Sequence, residues 1–472
     1  MKSKLPLVKT PKRVSKVKLW QVVIRLIISL ILFSALLFFL LSKSAKELCK
    51  QGQAVPLNDA DFQSLDKEMA ELSLRVQKEA DTASANPQLR ESKNLPEEEP
   101  VAAELSLLFA GDVLLHEPIV NQGFAVNPSP DYSWLFKHVK GVAEEADFSF
   151  ANMEGTLTEK PYAGYPVFRA PGIVAQNLKD AGFDVVYTAN NHCLDGGTEG
   201  VFSTLRYLRE AGLNTVGTRM DKEEKPYLLL EKNGIKLAIS SFTYETVRQY
   251  DAPCLNTLPI PTALNGLIDS FSIEDGDGVN YGFAVDAAAL KERVEEMKSE
   301  EPDLLIFIMH WGTEYAKEAD LAQEFYGKVL AEAGVHLIVG MHPHVVQPLL
   351  KLPANNEQGV IICYYSLGNF VSSQLPDTGN SEGRAEEGAL AKVKIKKEGE
   401  NCYIEKADYL PLFMYKTYPG YPQANCTYGW ALPVDLALKN PEKYEAEGIL
   451  PRLEQALNST RMVMGEALDF SK

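Results

Sequence analysis

Five of the seven histidines in this chain follow apolar runs and stand beside Asp, Asn or Gly. They are His116, His192, His310, His342 and His344. Imidazole nitrogen is a common ligand of transition metals. His342 and His344 follow the apolar run at 335–339 and are separated by one residue, so in an extended segment both would point to the same side. We therefore predict a metal site built from loops at one edge of a sheet.

Carboxylate and amide residues follow other apolar runs in the same way. These candidates are Asp112, Asn152, Glu154 and Asn191. A mixture of imidazole, carboxylate and amide ligands indicates a site for Zn, Mn or Fe and not a thiolate site. One carboxylate among several histidines can hold two divalent ions, which together activate water and stabilise an in-line displacement. A further histidine outside the ligand set could protonate the leaving group.

Each of these residues also has a purely structural interpretation. Asp112 and Asn191 could cap helices or stabilise turns. Glu154 could be a solvated loop acid, and His310 could be a core histidine with satisfied hydrogen bonds. The histidines that we assign to this structural class are His138 and His336. Ligand-type residues at five separate strand ends favour a metal or catalytic site over this set of independent structural roles.

The elements that would position these residues alternate between short apolar strands and amphipathic helices over 104–412. This alternation predicts an α/β layered sheet, in which ligands bind at the carboxyl ends of the strands. The pair Asn233-Gly234 predicts a hairpin turn. Residues 244–282 lose periodicity, and we predict that they form a long surface excursion, such as a lid, near the site. We assign 413–472 to a less regular C-terminal extension.

The net charge of −17 is unevenly distributed. Residues 1–50 carry eleven Lys and Arg but one acid, which leaves a strongly acidic body. Such a body argues against binding to nucleic acid. The six cysteines show no C-x-x-C spacing, although Cys402 and Cys426 could pair.

The N-terminal region has the pattern of a membrane anchor. Residues 19–41 are apolar enough and long enough to cross a hydrocarbon layer of about 30 Å, and seven basic residues precede them. We expect a cytoplasmic tail at 1–18, an uncleaved signal anchor at 19–41, a stalk at 45–103 and a body outside the cell. A cleaved signal peptide is the alternative, but no clear A-x-A site follows the apolar run.

Six motifs, taken in order, resemble the CapA family of poly-gamma-glutamate capsule synthesis proteins, within the calcineurin-like metallophosphoesterase superfamily. These motifs occupy 111–116, 152–155, 189–197, 310–312, 340–344 and 366–370. The resemblance implies a four-layer α/β/β/α sandwich with two divalent metal ions. It assigns Asp112, His116 and His344 to the first ion, Asn191, His310 and His342 to the second, and Glu154 to the bridge between them. His192 would be the non-ligand histidine that acts on the leaving group.

The supporting positions in these motifs are Asn152, Asn190, Gly368 and Asn369. Two features differ from the broad superfamily pattern. Asp112 and His116 are separated by three residues instead of one, and Glu154 stands where the superfamily has a bridging Asp. Both are usual in the CapA branch, but they leave the specificity for phosphoesters open.

Taken with the membrane-anchor pattern, the resemblance implies a membrane-anchored, outward-facing protein with a metal-dependent hydrolase site. This protein would act in the synthesis, export or release of an anionic polymer such as poly-gamma-glutamate. One alternative is a non-catalytic accessory subunit of a membrane-embedded polymer synthase. Another is a cell-wall phosphodiesterase. An acidic body would need bridging cations to approach a polyanion.

Overall fold

The structure is a computed structural model, and it describes 102–125, 129–159, 161–249, 252–273, 281–376, 378–417, 428–446 and 448–471. The expected tail, the anchor and the stalk up to residue 101 lie outside these ranges. No helix within them combines the length and the apolar character that a membrane crossing requires.

The first sheet places its strands in the order β19-β18-β17-β1-β2-β5-β6, with β16 beside β1 and β20 beside β18. Its strands are β1 Ala103–Val113, β2 Phe148–Met153, β5 Val185–Tyr187, β6 Asn214–Val216, β16 Asn369–Val371, β17 Glu387–Glu398, β18 Asn401–Thr417, β19 Tyr428–Pro433 and β20 Leu468–Asp469. Strands β1, β2, β5 and β6 run parallel, whereas β17, β18 and β19 add antiparallel strands beyond β1.

The second sheet has the order β10-β9-β8-β12-β13-β15-β14, and β7 and β11 also pair with β8. Its strands are β7 Leu228–Lys232, β8 Ile235–Gln249, β9 Ala252–Leu255, β10 Leu258–Pro259, β11 Ser270–Ser272, β12 Leu304–His310, β13 Leu337–Met341, β14 Leu349–Pro353 and β15 Val360–Tyr364. The central strands β8, β12, β13 and β15 are parallel. A separate short pair joins β3 Thr156–Thr158 to β4 Arg169–Pro171.

Most of the described helices cover the outer faces of the two sheets, whereas the last three pack on the face of β18 that carries Phe413 and Tyr415. The described α-helices are α1 Glu117–Gly123, α2 Lys140–Glu145, α3 Ile173–Asp180, α4 Gly197–Glu210, α5 Tyr281–Lys298, α6 Leu321–Glu332, α7 Val434–Ala437, α8 Pro441–Ala446 and α9 Leu450–Met464. Helices α1 to α4 share a hydrophobic cluster with the first sheet. Helices α5 and α6 share another with the second sheet.

The largest hydrophobic cluster lies between the two sheets. Strand β1 shows how its sequence serves two layers, since side chains alternate between the faces of a strand. Leu107 and Phe109 face the second sheet, whereas Leu108 and Ala110 face the helices. The layers are therefore helix, sheet, sheet and helix, as the α/β prediction and the resemblance led us to expect.

Several local predictions are confirmed and others are corrected. Asn233 and Gly234 form the turn between β7 and β8 with left-handed backbone. The region 244–282 is more regular than predicted, because β8 continues to Gln249 and a hairpin of β9 and β10 follows. The expected boundary after residue 412 falls inside β18. Cys402 carries a free thiol, while Cys426 lies outside the described residues.

Candidate metal centre

Glu154 follows the end of β2 and is completely buried. The next residue, Gly155, has φ +122°, and a Cβ on it would come within 2.8 Å of the Cβ of Phe168, so the turn requires glycine. Neither carboxylate oxygen of Glu154 has a hydrogen-bond partner among the described residues. A buried carboxylate in this state is strongly disfavoured unless a cation or a proton neutralises it. Glu154 therefore has the surroundings of a metal ligand.

His342 and His344 face Glu154 from the loop after β13. One ligand atom from each of the three side chains lies within 4.8 Å of the other two. Our premise that the two histidines occupy an extended segment was wrong, because φ is +97° at His342 and +58° at His344. Left-handed backbone at non-glycine residues costs about 1–3 kcal/mol each and is concentrated at functional sites. The histidines thus converge through a strained turn and not through the alternation of a strand.

Asp112, near the end of β1, connects the two sheets at this point. Its Oδ1 accepts a hydrogen bond from Asn152 Nδ2 at 2.8 Å. Its Oδ2 accepts one from the backbone N–H of His342 at 3.3 Å and lies 3.4 Å from His344 Nδ1. Asn190 Nδ2 in turn donates to Asn152 Oδ1 at 3.2 Å. Because β1 and β13 belong to different sheets, this buried carboxylate joins both halves of the site.

His310 ends β12 and brings a further imidazole to the cluster. Its Nε2 lies 2.8 Å from Asn191 Oδ1 and 3.7 Å from Glu154 Oε1. Asn191 reaches this position from the loop after β5. The structure therefore brings together six of the seven metal ligands that the sequence predicts, namely Asp112, Glu154, Asn191, His310, His342 and His344.

Two residues at the start of β16 support the cluster. Gly368 immediately precedes this strand, and Asn369 is its first residue. Asn369 Oδ1 lies 3.1 Å from His344 Nδ1, and Asn369 Nδ2 donates to Gln374 Oε1 at 2.9 Å. Gly368 has φ +65°. A Cβ on Gly111 would come within 1.9 Å of the Gly368 carbonyl oxygen. The two glycines allow this loop to lie against β1, and Asn369 orients the His344 ring.

The electrostatics of the cluster favour a bound cation. Burial, followed by repulsion from neighbouring histidines, lowers the pKa of His310 and of His342 far below the usual range. Both imidazoles are therefore neutral, the form that binds metal. Burial raises the pKa of Glu154, and Asp112 raises it further. For His344, burial lowers the pKa, but attraction to Glu154 and Asp112 outweighs it and brings the pKa to about 9.

His192 lies beside the cluster and is oriented by a carboxylate. Its Nδ1 is 2.8 Å from Asp195 Oδ2. The same oxygen accepts a hydrogen bond from the backbone N–H of Phe168 at 2.5 Å, and the Phe168 ring packs edge-on against the imidazole. A carboxylate on Nδ1 selects the tautomer that leaves Nε2 available for proton transfer. This pair has the arrangement of an oriented acid or base.

His116, the seventh predicted ligand, lies on the wall of an adjacent open cleft of about 560 Å³. His192 and His344 line the same cleft. His116 Nδ1 faces Leu114 O at 3.3 Å and the Ser373 backbone nitrogen at 3.4 Å, so Nε2 is the nitrogen available to a ligand. Burial lowers the pKa of His116 to about 3, which keeps its ring neutral.

Three residues of the site were not among the predicted ones. Asp195 lies in a motif that we noted, and an acid three residues after His192 was the available signal. Asn256 and Tyr244 come from the region 244–282. The Tyr244 ring centroid lies 4.5 Å from that of His342, and Asn256 contacts both Asn191 and His192. These two residues of the region 244–282 therefore contact the candidate site.

The part of the sequence that carries this cluster is similar to known proteins. The family model for the bacterial capsule synthesis protein PGA_cap matches residues 106–374, more than half of the chain. The chain belongs to this family. Every candidate ligand and the His192–Asp195 pair lie inside the matched range.

The relatives include the capsule biosynthesis protein CapA of Bacillus anthracis, 29% identical over 283 residues, which are 57% of this chain and 60% of that protein. The PGA biosynthesis protein CapA of Bacillus subtilis (strain 168) is 26% identical over 301 residues, 62% of this chain and 69% of that protein. The alignment thus spans less than two thirds of the Bacillus anthracis relative. Both relatives carry names from capsule or PGA biosynthesis.

Two solved structures are similar at 15% sequence identity. A hypothetical protein from Thermus thermophilus gives a TM-score of 0.37 over 70% of this chain and 100% of that one. The calcineurin-like phosphoesterase YfkN from Bacillus subtilis gives 0.40 over 66% of this chain and 90% of that one.

Proposed function

We propose that this PGA_cap family protein is a metal-dependent hydrolase that acts on an anionic capsular polymer outside the cell. The polymer that the family suggests is poly-gamma-glutamate, and the step would belong to its synthesis, export or release. The observation that carries the proposal is Glu154, whose two buried oxygens lack hydrogen bonds among the described residues. The neutral imidazoles of His310 and His342 lie close to it. The donor set suits divalent Mn, Zn or Fe.

The proposal gives each residue of the cluster a role. Asp112, His116 and His344 would hold one ion, Asn191, His310 and His342 a second, and Glu154 would bridge them. Bound divalent ions supply Lewis-acid stabilisation and activate water near neutral pH.

His192 supplies the proton chemistry in this proposal. Its Nε2 would deliver a proton to the leaving group, while Asp195 accepts the Nδ1 hydrogen bond and stabilises the charged imidazolium. In this proposal the polymer chain reaches the site through the cleft that His192 lines. We propose a phosphoester or a γ-glutamyl bond as the bond that is cleaved.

Charge supports a requirement for cations beyond the catalytic ions. The body is acidic, and Glu117 and Glu314 line the cleft beside the histidines. A polyanion would be repelled from this wall unless metal ions or counterions screened the charge. We therefore expect substrate binding to strengthen with divalent cations.

The location that we propose is the outer face of the cell membrane. Its support is the apolar segment 19–41 with seven basic residues before it, which predicts a cytoplasmic N-terminus. Protease added to intact cells is expected to digest the body. Protection of the body from protease in intact cells would contradict this orientation.

The test compares the full-length protein with His192→Ala after loading with Mn²⁺ or Zn²⁺. We expect hydrolysis of poly-gamma-glutamate or of a phosphodiester probe to fall about 100- to 10,000-fold in the variant, the range of general acid–base contributions, with metal content unchanged. A metal-loaded protein that hydrolyses neither substrate would contradict the enzymatic role. If His192→Ala also left polymer production in cells intact, an accessory role beside a polymer synthase would replace the proposal.

A further inference from the structure

A hairpin from outside the ligand motifs reaches the metal centre. Strands β9 and β10 are joined by Asn256 and Thr257, which have φ +47° and +63°. Asn tolerates this left-handed conformation better than most residues. The turn therefore holds the Asn256 side chain in a defined direction at the tip of the hairpin.

The hairpin is fastened to the loop that carries Asn191 and His192. A small hydrophobic cluster joins Leu255 and Ile268 on the hairpin side to Cys193, Leu194 and Val201, which follow His192 in the chain. Leu255 is completely buried in this cluster. Because this apolar contact is next to Asn256, it fixes the position of the Asn256 side chain relative to the loop that carries Asn191 and His192.

Asn256 determines how the Asn191 amide is oriented. An asparagine amide can turn its oxygen or its nitrogen toward a given neighbour, and hydrogen bonds select between the two. Asn191 Nδ2 donates to Asn256 Oδ1 at 2.9 Å, which turns Asn191 Oδ1 toward His310 Nε2 at 2.8 Å. Only the oxygen of the amide can bind a metal ion, so the orientation matters.

The other end of the Asn256 amide contacts His192. Asn256 Nδ2 lies 3.1 Å from Nδ1 and 3.2 Å from Nε2 of the imidazole. Asp195 already occupies the Nδ1 side at 2.8 Å. Asn256 therefore adds a second contact that restricts the ring, and one side chain links the amide ligand to the proton-transfer residue.

We propose that Asn256 is a positioning residue that turns the oxygen of Asn191 toward the metal centre and restricts the rotation of the His192 ring. This inference rests on the proposed function, because it gives Asn191 the role of a ligand. It adds a residue from the hairpin of β9 and β10 to a site that the motifs alone do not complete.

The test is a Mn²⁺ titration of full-length wild type and Asn256→Gly by calorimetry. Glycine keeps the left-handed backbone while removing the amide. We expect the ion bound with Asn191 to be held about tenfold more weakly, the lower end of the effect of losing a residue that orients a metal ligand, and kcat to fall while KM changes little. Asn256→Asp keeps an acceptor for Asn191 Nδ2 and should restore most of the Mn²⁺ affinity.

Asn233→Gly is the matched control, since Asn233 is also a left-handed asparagine in a hairpin turn. Its Nδ2 bonds Glu104 O, away from the ligands, and its Mn²⁺ affinity should equal that of wild type. Unchanged affinity in Asn256→Gly would overturn the inference alone. Equal weakening in Asn256→Gly and Asn256→Asp would reduce Asn256 to a structural role and also overturn it. Wild type that binds none of Mn²⁺, Zn²⁺ and Fe²⁺ would overturn the proposed function as well.

Discussion

The two ends of β13 carry buried histidines with opposite hydrogen-bonding states. At the amino end, His336 Nδ1 accepts a hydrogen bond from the Leu305 backbone N–H at 3.1 Å, and its Nε2 lies 3.2 Å from Glu357 Oε2. At the carboxyl end, His342 Nδ1 is buried without a partner among the described residues. Both histidines are buried, so burial does not distinguish them; the unpartnered Nδ1 of His342 does.

The backbone at the two ends differs as well. His336 precedes the regular strand, while the chain after Met341 enters left-handed conformation at both His342 and His344. At the carboxyl end, left-handed backbone and an unpartnered ring nitrogen occur together. Among the described residues, His336 shows neither feature. The coincidence of the two features agrees with the location of binding sites at the carboxyl ends of strands in parallel sheets.

The largest expected effect comes from His344→Ala at the carboxyl end. The ring lies against both Asp112 and Glu154, so its removal should weaken Mn²⁺ binding by more than the roughly 10- to 100-fold that loss of a ligand-orienting residue causes. Titration of the purified variant by calorimetry measures this change. His336→Ala is the control and should bind Mn²⁺ like wild type. Equal affinities in the two variants would remove the distinction between the ends of the strand.

A smaller effect is expected from Gly340→Ala, one residue before the end of β13. The added Cβ would come within 2.0 Å of Tyr365 O and 2.5 Å of Trp311 Nε1. Because the nearest atom is backbone, relief requires movement of the neighbouring chain, and we expect a loss of about 1–3 kcal/mol in the free energy of unfolding. Urea denaturation measures it. A variant as stable as wild type would show that the packing behind the site is loose.

The smallest effect is expected at the amino end, in the pH dependence of stability. Burial lowers the pKa of His336, although Glu357 opposes this. The neutral ring of His336 therefore contributes its full stabilisation of the fold above about pH 6.5, the pKa of histidine in the unfolded chain. This contribution is lost as the pH falls below that value. His336→Ala, which leaves the Leu305 N–H unpaired, should lose about 1–3 kcal/mol at pH 8 and less at pH 5. A loss that grew toward pH 5 would contradict the lowered pKa.

Local patterns predicted the frame of this site well. Apolar runs formed β1, β2, β5, β12 and β13, and within each sheet the polar residues at the strand ends lie at the same edge, because parallel strands carry their carboxyl ends to one side. The prediction of a site at the edge of one sheet was wrong, since β1, β2 and β5 belong to the first sheet and β12 and β13 to the second. The pair Asn233-Gly234 formed its turn because the left-handed conformation is a property of those two residues. Strand formation and turn geometry of this kind depend on residues that are close together in the sequence.

The sequence by itself determined the ligand types, their order and their places at strand ends, since side-chain chemistry and strand periodicity are local. Only the tertiary structure decided that His342 and His344 converge through left-handed backbone and that Asn256 closes on Asn191 and His192. These relations join residues far apart in the chain, and they depend on how apolar clusters fasten distant loops together. The same reason explains His336 and His342. Both are buried histidines in one segment, and only their distant neighbours give His336 two hydrogen-bond partners and leave Nδ1 of His342 without one among the described residues.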